Sequence, residues 1–276
     1  MPNTAQTEEW NGATGAYWAS HDERYDAMLR PLTERLFAAT PIAATDQVLD
    51  VGCGCGNTTR IAAKRAIDGT TLGVDLSEPM LAQARVRANQ QGLTNVRYQR
   101  ADVQTHDLGA SRFDLVISQL GVMFFDDPTQ AFTNLRRALR SGGGISFICW
   151  QELARNDHGV VPTKAIAAHR DPPASSSPCA SGAFSLADPD RVRTLLTDAG
   201  FREITIDPVS APLLAGTDAN EATEFYLQLP SIRTVLEHAE PAAVAGARAE
   251  LRRTLSAYET PEGVLLDSAS WLVSAS

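Results

Sequence analysis

The sequence lacks the features that mark membrane proteins, disulfide-rich scaffolds and secreted precursors. No stretch of about 18 apolar residues occurs, so we expect no transmembrane helix. Four cysteines among 276 residues are too few for a disulfide scaffold. Residues 1–9 contain neither the basic region nor the apolar region of a secretory signal. We therefore expect a protein of the reducing cytoplasm.

Positive charge is also scarce. Lys and Arg number 24 against 33 Asp and Glu, which gives a net charge of −9. Because binding to a phosphate backbone needs a basic surface, this charge disfavours nucleic acid as a partner. The apolar fraction of 43% permits a sizeable core and excludes wholesale disorder. The length alone fits one or two domains, and the oligomeric state is left open.

Short apolar runs alternate with helical patterns through the first half of the chain. Strands are predicted at 47–51, 71–75, 96–101, 113–118 and 145–150. The intervening helices are predicted at 58–66, 78–91 and 129–140, the last one stopped by a turn at 141–144. Alternation of this kind predicts parallel βαβ units and an α/β, doubly wound sheet with both faces covered.

The remaining segments elaborate this sheet. Residues 1–12 are polar and predicted to be loose, and residues 14–40 to be helical with a break at Pro31. A helix at 189–199 and strands at 201–207 and 263–273 complete a mostly parallel, seven-stranded sheet. The predicted organisation is N-terminal helices at 1–40, a core at 41–150, a cap insertion at 151–187, and a sheet end at 188–276 with a helical insertion at 217–258.

The most informative segment is a glycine turn between a predicted strand and a predicted helix. Residues 48–59 read VLDVGCGCGNTT. Glycines let the backbone approach a ligand, and the helix that follows offers free N–H groups. The dinucleotide fingerprint is G-x-G-x-x-G, whereas this turn reads G-x-G-x-G and has Asn57 in the third-glycine position. The spacing disfavours NAD and favours a nucleoside ligand without a pyrophosphate.

Two acidic residues at predicted strand ends support a nucleoside. Asp75 ends the second strand, where a carboxylate can accept both ribose hydroxyls. The alternative role for Asp75 is to cap the next helix, but Ser77 can do that instead. Asp102 follows the third strand beside Val103, an arrangement that suits an adenine amino group and ring face.

Four segments in order resemble the motifs of the class I S-adenosylmethionine-dependent methyltransferases: 48–56, 73–81, 100–103 and 113–119. The similarity is greatest to the small-molecule branch (type 11/25) that includes quinone-biosynthesis C-methyltransferases. A fifth segment, 135–144, resembles the helix and turn before that family's fifth strand, with Ser-Gly-Gly in place of the usual Pro-Gly-Gly. The resemblance covers roughly residues 14–150, and a weaker resemblance extends over residues 188–207.

The resemblance implies S-adenosyl-L-methionine as cofactor and S-adenosyl-L-homocysteine as product. Gly52, Gly54 and Asn57 would face the methionine part, and Asp75 the ribose. The adenine would contact Leu76, Met80, Asp102 and Val103, and the wall next to the sulfonium would contain Ser118 and Gln119. In related enzymes the N-terminal helices close over the cofactor, which makes Tyr17, Trp18 and Tyr25 candidates. Alternatively, these aromatic residues only attach the helix to the domain.

Methyl transfer from a sulfonium is an in-line displacement that needs orientation more than a fixed catalytic residue. If a base is needed, the candidates by titration range are His21, His158 and His169. Each of them can equally be a solvated or packing histidine. No metal site is expected: Cys53 and Cys55 lack a second pair of ligands, and the 126–127 Asp pair is better explained as a helix cap.

The acceptor is expected to be a small organic molecule, methylated on O, N or C. Met123, Trp150, Phe225 and Tyr226 are candidate lining residues of a partly apolar acceptor pocket. The Asp-Pro-Pro-Ala run at 171–174 resembles a motif of nucleic-acid and protein methyltransferases but stands in the wrong place, so it is interpreted as a turn. The rivals left are a protein or nucleic-acid methyltransferase, an NAD oxidoreductase, and a cofactor-binding protein with a non-methylating activity.

Overall fold

The computed structural model describes residues 3–167, 182–237 and 239–276. A central sheet of eight strands is built from β1 (Gln47–Val51), β2 (Thr70–Asp75), β3 (Val96–Arg100), β4 (Phe113–Gln119), β5 (Leu139–Trp150), β6 (Thr205–Gly216), β7 (Glu259–Thr260) and β8 (Gly263–Ala275). The strand order is β3-β2-β1-β4-β5-β8-β6, and the two-residue β7 pairs only with β8. The first five strands are parallel, and β8 runs antiparallel between β5 and β6. The predicted α/β, doubly wound, mostly parallel sheet is confirmed.

Twelve α-helices lie in the described part of the chain. They are α1 (Thr4–Asn11), α2 (Ala13–Ser20), α3 (Asp22–Met28), α4 (Arg30–Ala39), α5 (Asn57–Arg65), α6 (Glu78–Gln90), α7 (Pro128–Ala138), α8 (Asp157–Ala167), α9 (Pro189–Asp198), α10 (Ala219–Gln228), α11 (Pro230–Leu236) and α12 (Pro241–Ser256). None of them is long and apolar enough to cross a membrane.

Both faces of the sheet are buried, as the apolar strands predict. In β1, Val48 packs with Phe37 of α4 and Ala62 of α5, whereas its neighbour Leu49 belongs to the larger core that contains Phe132 of α7. Successive strand residues point to opposite faces, so one short strand contributes to two helical layers. The carboxyl ends of β1 to β5 are thereby fixed at one edge of the sheet.

The N-terminal prediction was wrong in two respects. Residues 4–11 form α1 instead of a loose segment, because contacts far along the chain hold it: Asn11 donates to the carbonyl of Leu76 and accepts from the N–H of Glu78. The second error is a missed helix break at His21. The break predicted at Pro31 is present at Leu29, so Pro31 lies inside the first turn of α4, where its missing N–H is harmless.

The later elements also differ from the prediction. Residues 141–144 do not stop a helix; they lie within β5, where the register against β4 jumps from Leu139 to Gly144 and forms a bulge. Strand β6 lies further along the chain than predicted and contains Pro208 and Pro212. It tolerates them because β6 is an edge strand that pairs only with β8. The 217–258 insertion consists of three helices, α10 to α12.

Candidate functional site

The glycine turn after β1 is folded tightly against β2. The N–H groups of Gly52 and Cys53 both donate to the carbonyl of Val74, at 2.9 and 3.1 Å. Gly52, Gly54 and Gly56 all have positive φ, at 65°, 54° and 78°. A Cβ on Gly52 would lie 2.6 Å from the Cα of Gly121, a distance that side chains do not adopt. The turn therefore needs glycine for its conformation and for its close approach to the loop after β4.

Asp75 fixes the turn from the end of β2. Its Oδ2 accepts a hydrogen bond from the Gly54 N–H and its Oδ1 from the Ser77 N–H, both at 2.8 Å. Burial raises the pKa of Asp75, and the backbone donors oppose that rise. The hydroxyl of Ser77 accepts from the N–H of Met80 and caps α6, as predicted. The Asp75 carboxylate is held by backbone, and each oxygen keeps a lone pair for a ligand.

Asp50 anchors the other side of the turn. It is fully buried, and its Oδ2 accepts from the hydroxyls of Thr58 and Thr59 at 2.7 and 2.6 Å, which joins β1 to α5. Its Oδ1 is buried without a hydrogen-bond partner. Burial raises the pKa of Asp50 to about 6.

This raised pKa predicts a pH-dependent stability. The folded protein binds a proton at Asp50 between about pH 4 and about pH 6 that the unfolded chain does not, so stability falls as the pH rises through this window. Relative to Asp50→Asn, the free energy of unfolding of the unmodified protein should decrease by roughly 3 kcal/mol across the window. Denaturant titrations of both proteins at several pH values measure this, and a difference that stays constant would contradict it.

Asp102 contacts the start of the described chain. Its Oδ2 accepts from the backbone N–H of Asn3 at 2.8 Å, and its Oδ1 accepts from the N–H of Gln104 at 3.0 Å. Asn3 is buried and its Nδ2 donates to the carbonyl of Phe124 at 2.6 Å. Helix α1 thus covers the carboxyl edge of the sheet, and Trp10 packs edge-on against Phe124.

A cavity of about 560 Å³ begins at the glycine turn and Asp75 and continues between the N-terminal helices, β5, α8 and α10. Sixteen of the predicted site residues line it: Trp18, Tyr25, Gly52, Gly54, Asn57, Asp75, Leu76, Met80, Asp102, Val103, Gln119, Met123, Trp150, His158, Phe225 and Tyr226. Its position at the carboxyl ends of parallel strands is the usual ligand site of doubly wound folds.

Three predicted site residues lie outside the cavity lining. Tyr17 stacks on His21 with ring centroids 4.0 Å apart, and His21 Nδ1 is bonded to the carbonyl of Tyr17. Helix α2 ends at His21, so α3 does not continue the face of α2. Of Tyr17, His21 and Tyr25, only Tyr25 lines the cavity. Ser118 is fully buried and donates to the carbonyl of Val51 at 2.7 Å. It alternates with Gln119 along β4, so only one of the two can face the cavity.

Several lining residues were not predicted from the sequence. Asn3 and Trp10 were missed because the N-terminus carries little apolar signal, and Leu120 because its positive φ of 61° has no sequence signature. Asp26 was also missed. It pairs with Arg60 at 3.3 Å, and burial raises its pKa to about 6. His169 and the 171–174 run lie outside the described residues.

The far half of the cavity is apolar, and three of the residues that line it each have a buried polar atom without a hydrogen-bond partner. They are Gln119 Oε1, His158 Nδ1 and the hydroxyl of Tyr226. The His158 ring packs on Trp150 with centroids 4.6 Å apart, and burial lowers its pKa to about 4. Buried polar atoms are normally hydrogen-bonded, so these three are among the exceptions in the described part of the chain.

The fold and the cavity define a doubly wound domain with a cavity at the carboxyl edge of its sheet, where such folds bind their ligands. Residues 48–143 match the family model described as "Methyltransferase domain". The chain is 30% identical over 203 residues to trans-aconitate 2-methyltransferase of Variovorax paradoxus, which covers 74% of this chain and 69% of that protein. It belongs to the S-adenosylmethionine-dependent methyltransferases, the family whose cofactor is S-adenosyl-L-methionine.

Other comparisons agree on the fold and leave the acceptor open. An uncharacterized protein of Mycobacterium tuberculosis is 40% identical to this chain over 137 residues. The match spans about half the length of both proteins, 49% of this chain and 49% of that relative. Phosphoethanolamine N-methyltransferase 2 of Haemonchus contortus, solved with S-adenosyl-L-methionine, superposes with a TM-score of 0.60 at 17% identity. That match covers 98% of this chain and 59% of that one.

Proposed function

We propose that this protein transfers the methyl group of S-adenosyl-L-methionine to a small organic molecule bound in the apolar half of the cavity. One observation carries the proposal: a single cavity joins the glycine turn and Asp75 to an apolar wall that contains Met123, Trp150 and Phe225. A cofactor at the turn and an acceptor at that wall would meet inside the protein, away from water.

The cofactor end of the cavity fits S-adenosyl-L-methionine group by group. Asp75 is suited to the ribose hydroxyls, and the adenine fits between Leu76, Met80 and Val103. Asp26 adds a carboxylate near the glycine turn, because its partner Arg60 also donates to the carbonyl of Cys55. That carboxylate is suited to the α-ammonium group of the cofactor. The bound cofactor supplies the electrophilic methyl group, and the protein supplies its orientation.

We propose that the segments around the core form the acceptor site. Residues 1–40 would cover the cofactor, and residues 151–187 with the insertion at 217–258 would select the acceptor. The lining residues Trp150, His158, Phe225 and Tyr226 support this division because they belong to β5, α8 and α10. We therefore expect the predicted aromatic wall and its two neighbouring helices to face one ligand.

The relatives do not supply the acceptor. One is named for trans-aconitate, a carboxylate, and another for phosphoethanolamine, a phosphate ester with an amine. Those two compounds differ from one another in charge and in functional groups. The identity of the acceptor must therefore come from this chain's own cavity and from experiment.

A transfer assay with a labelled methyl donor tests the proposal. The protein is incubated with small aromatic and aliphatic acceptors, with RNA and with a protein mixture, and the labelled product is identified by mass. We expect label on a small molecule and none on RNA or protein. Label on a macromolecule alone would contradict the proposal, and calorimetric binding of NAD without binding of S-adenosyl-L-homocysteine would overturn the cofactor site itself.

A further inference from the structure

Helix α3 contacts the rest of the protein on two sides. Asp22 and Asp26 lie one turn apart and both line the cavity, whereas Arg24 between them is not among the described lining residues. Residues two apart in a helix lie on opposite faces, so this spacing separates the acids from the arginine. Asp22 pairs with Arg87 of α6, and Asp26 pairs with Arg60 of α5. The acidic face therefore ties α3 to the helices that directly follow β1 and β2.

Arg24 ties the other face of α3 to the far side of the cavity. Its guanidinium group pairs with Glu221 of α10 and donates to the carbonyl of Ala215 near the end of β6. The same group lies 4.1 Å from the ring centroid of Phe225, one turn further along α10. An exposed ion pair alone is weak, but a planar group that also holds a carbonyl and an aromatic ring is fixed more firmly. Arg24 therefore joins α3 to both β6 and α10.

Phe225 brings this contact to the cavity. It is buried and lines the far half, and its ring packs edge-on against Tyr25 of α3 with centroids 5.8 Å apart. Tyr25 in turn stacks on Trp18, and the Trp18 carbonyl accepts a hydrogen bond from the thiol of Cys55 in the glycine turn. A continuous set of contacts thus runs from the turn that would hold the cofactor to the aromatic wall that would hold the acceptor.

We propose that Arg24 is a positioning residue that couples the two halves of the cavity: bound cofactor stabilises α3, and Arg24 transmits this order to Phe225 and α10. The inference rests on the proposed function, because that function assigns the cofactor to the glycine turn and the acceptor to the aromatic wall. If α10 is ordered in advance, less conformational entropy is lost when the acceptor binds. Acceptor affinity is then highest when the methyl donor is present, and the acceptor tightens cofactor binding by the same factor.

Hydrogen exchange with and without S-adenosyl-L-homocysteine tests the coupling and needs no known acceptor. The measured quantity is the ratio of the α10 amide exchange rates in the free and the bound protein. We expect the ligand to slow α10 exchange by about fivefold or more in the unmodified protein, and by less than about twofold in Arg24→Met. A purely structural role for Arg24 would instead speed exchange in both states and leave the ratio unchanged. The amides of α5 should be protected by the ligand in both proteins, which shows that the cofactor site is folded.

The matched control is Arg248→Met, because Arg248 pairs with Glu224 and also anchors α10, but from α12 instead of α3. Its α10 response to the ligand should equal that of the unmodified protein. Glu221→Gln is a second test: it removes the charge that pairs with Arg24, keeps an oxygen for Thr217, and should reduce the response.

The outcomes separate the coupling from the proposed function. A full α10 response in Arg24→Met or Glu221→Gln, an equal loss in Arg248→Met, or no α10 response in the unmodified protein would overturn the coupling and leave the proposed function intact. If S-adenosyl-L-homocysteine protects neither α5 nor α3 in the unmodified protein, the cofactor end of the proposed function itself is wrong.

Discussion

The variant Gly52→Ala is expected to lose measurable binding of S-adenosyl-L-homocysteine and to lower the free energy of unfolding by about 2–5 kcal/mol. The added methyl group would lie 2.6 Å from the Cα of Gly121, at a φ of +65°. The approach is close from both sides, because a methyl group on Gly121 would in turn lie 2.7 Å from the Val51 carbonyl oxygen and 2.8 Å from the Gly52 Cα. The turn must open to accept the side chain. Calorimetric titration and denaturant unfolding measure the two effects.

Gly92→Ala is the matched control for this variant. Gly92 has nearly the same φ, +66°, but a methyl group there meets nothing within 4 Å. It should carry only the backbone cost of a left-handed residue, about 1–2 kcal/mol, with unchanged cofactor affinity. The difference between the two variants therefore measures the close approach of the two loops. If both variants lose the same stability and keep normal cofactor binding, the close approach of the two loops contributes to neither property.

The variant Asp75→Ala is expected to weaken binding of S-adenosyl-L-homocysteine by about 100- to 10,000-fold. Two hydrogen bonds to a charged group, at about 1.5–3 kcal/mol each, would be lost from the ribose, and about 1.4 kcal/mol corresponds to tenfold. The Gly54 and Ser77 N–H groups would lose their acceptor as well. The matched control is Asp68→Ala, an exposed acidic residue just before β2, which should bind normally.

A ligand change separates the two roles of Asp75. The 2′-deoxy analogue of S-adenosyl-L-homocysteine lacks one ribose hydroxyl, and the unmodified protein should bind it at least tenfold more weakly than the parent compound. In Asp75→Ala this preference should disappear. If the variant still prefers the parent compound to the same degree, Asp75 shapes only the turn, and the ribose is recognised by another group.

The cofactor end of the site was predictable because it depends on local sequence. A glycine turn between strand and helix, with an acid at the end of the next strand, determines where Gly54 and Asp75 lie before any packing is known. Parallel strands bring their carboxyl ends to one edge, so Asp102 and Gln119 could be placed there as well. These residues all line the cavity.

The N-terminal region could not be predicted in the same way, because its order depends on distant partners. Helix α1 has little apolar character, and it is held through Asn3 on Asp102 and Asn11 on Leu76. Tyr17, His21 and Tyr25 share one face only if the helix is continuous, and no proline or glycine signals the break at His21. The same limit applies to Leu120, because nothing in the local sequence signals its left-handed backbone, with a φ of 61°.

The position of β8 has a consequence for the order in which the protein assembles during synthesis. Strand β6 leaves the ribosome well before β8, with α10, α11 and α12 made in between, yet β8 is its only partner in the described sheet. The strands from β1 to β5 can pair as they emerge, whereas β6 must wait with both of its edges open. Such late, long-range pairing is slow and exposes the strand to wrong partners. We therefore expect nascent chains stalled before β8 to carry a folded first half and an unpaired, aggregation-prone β6.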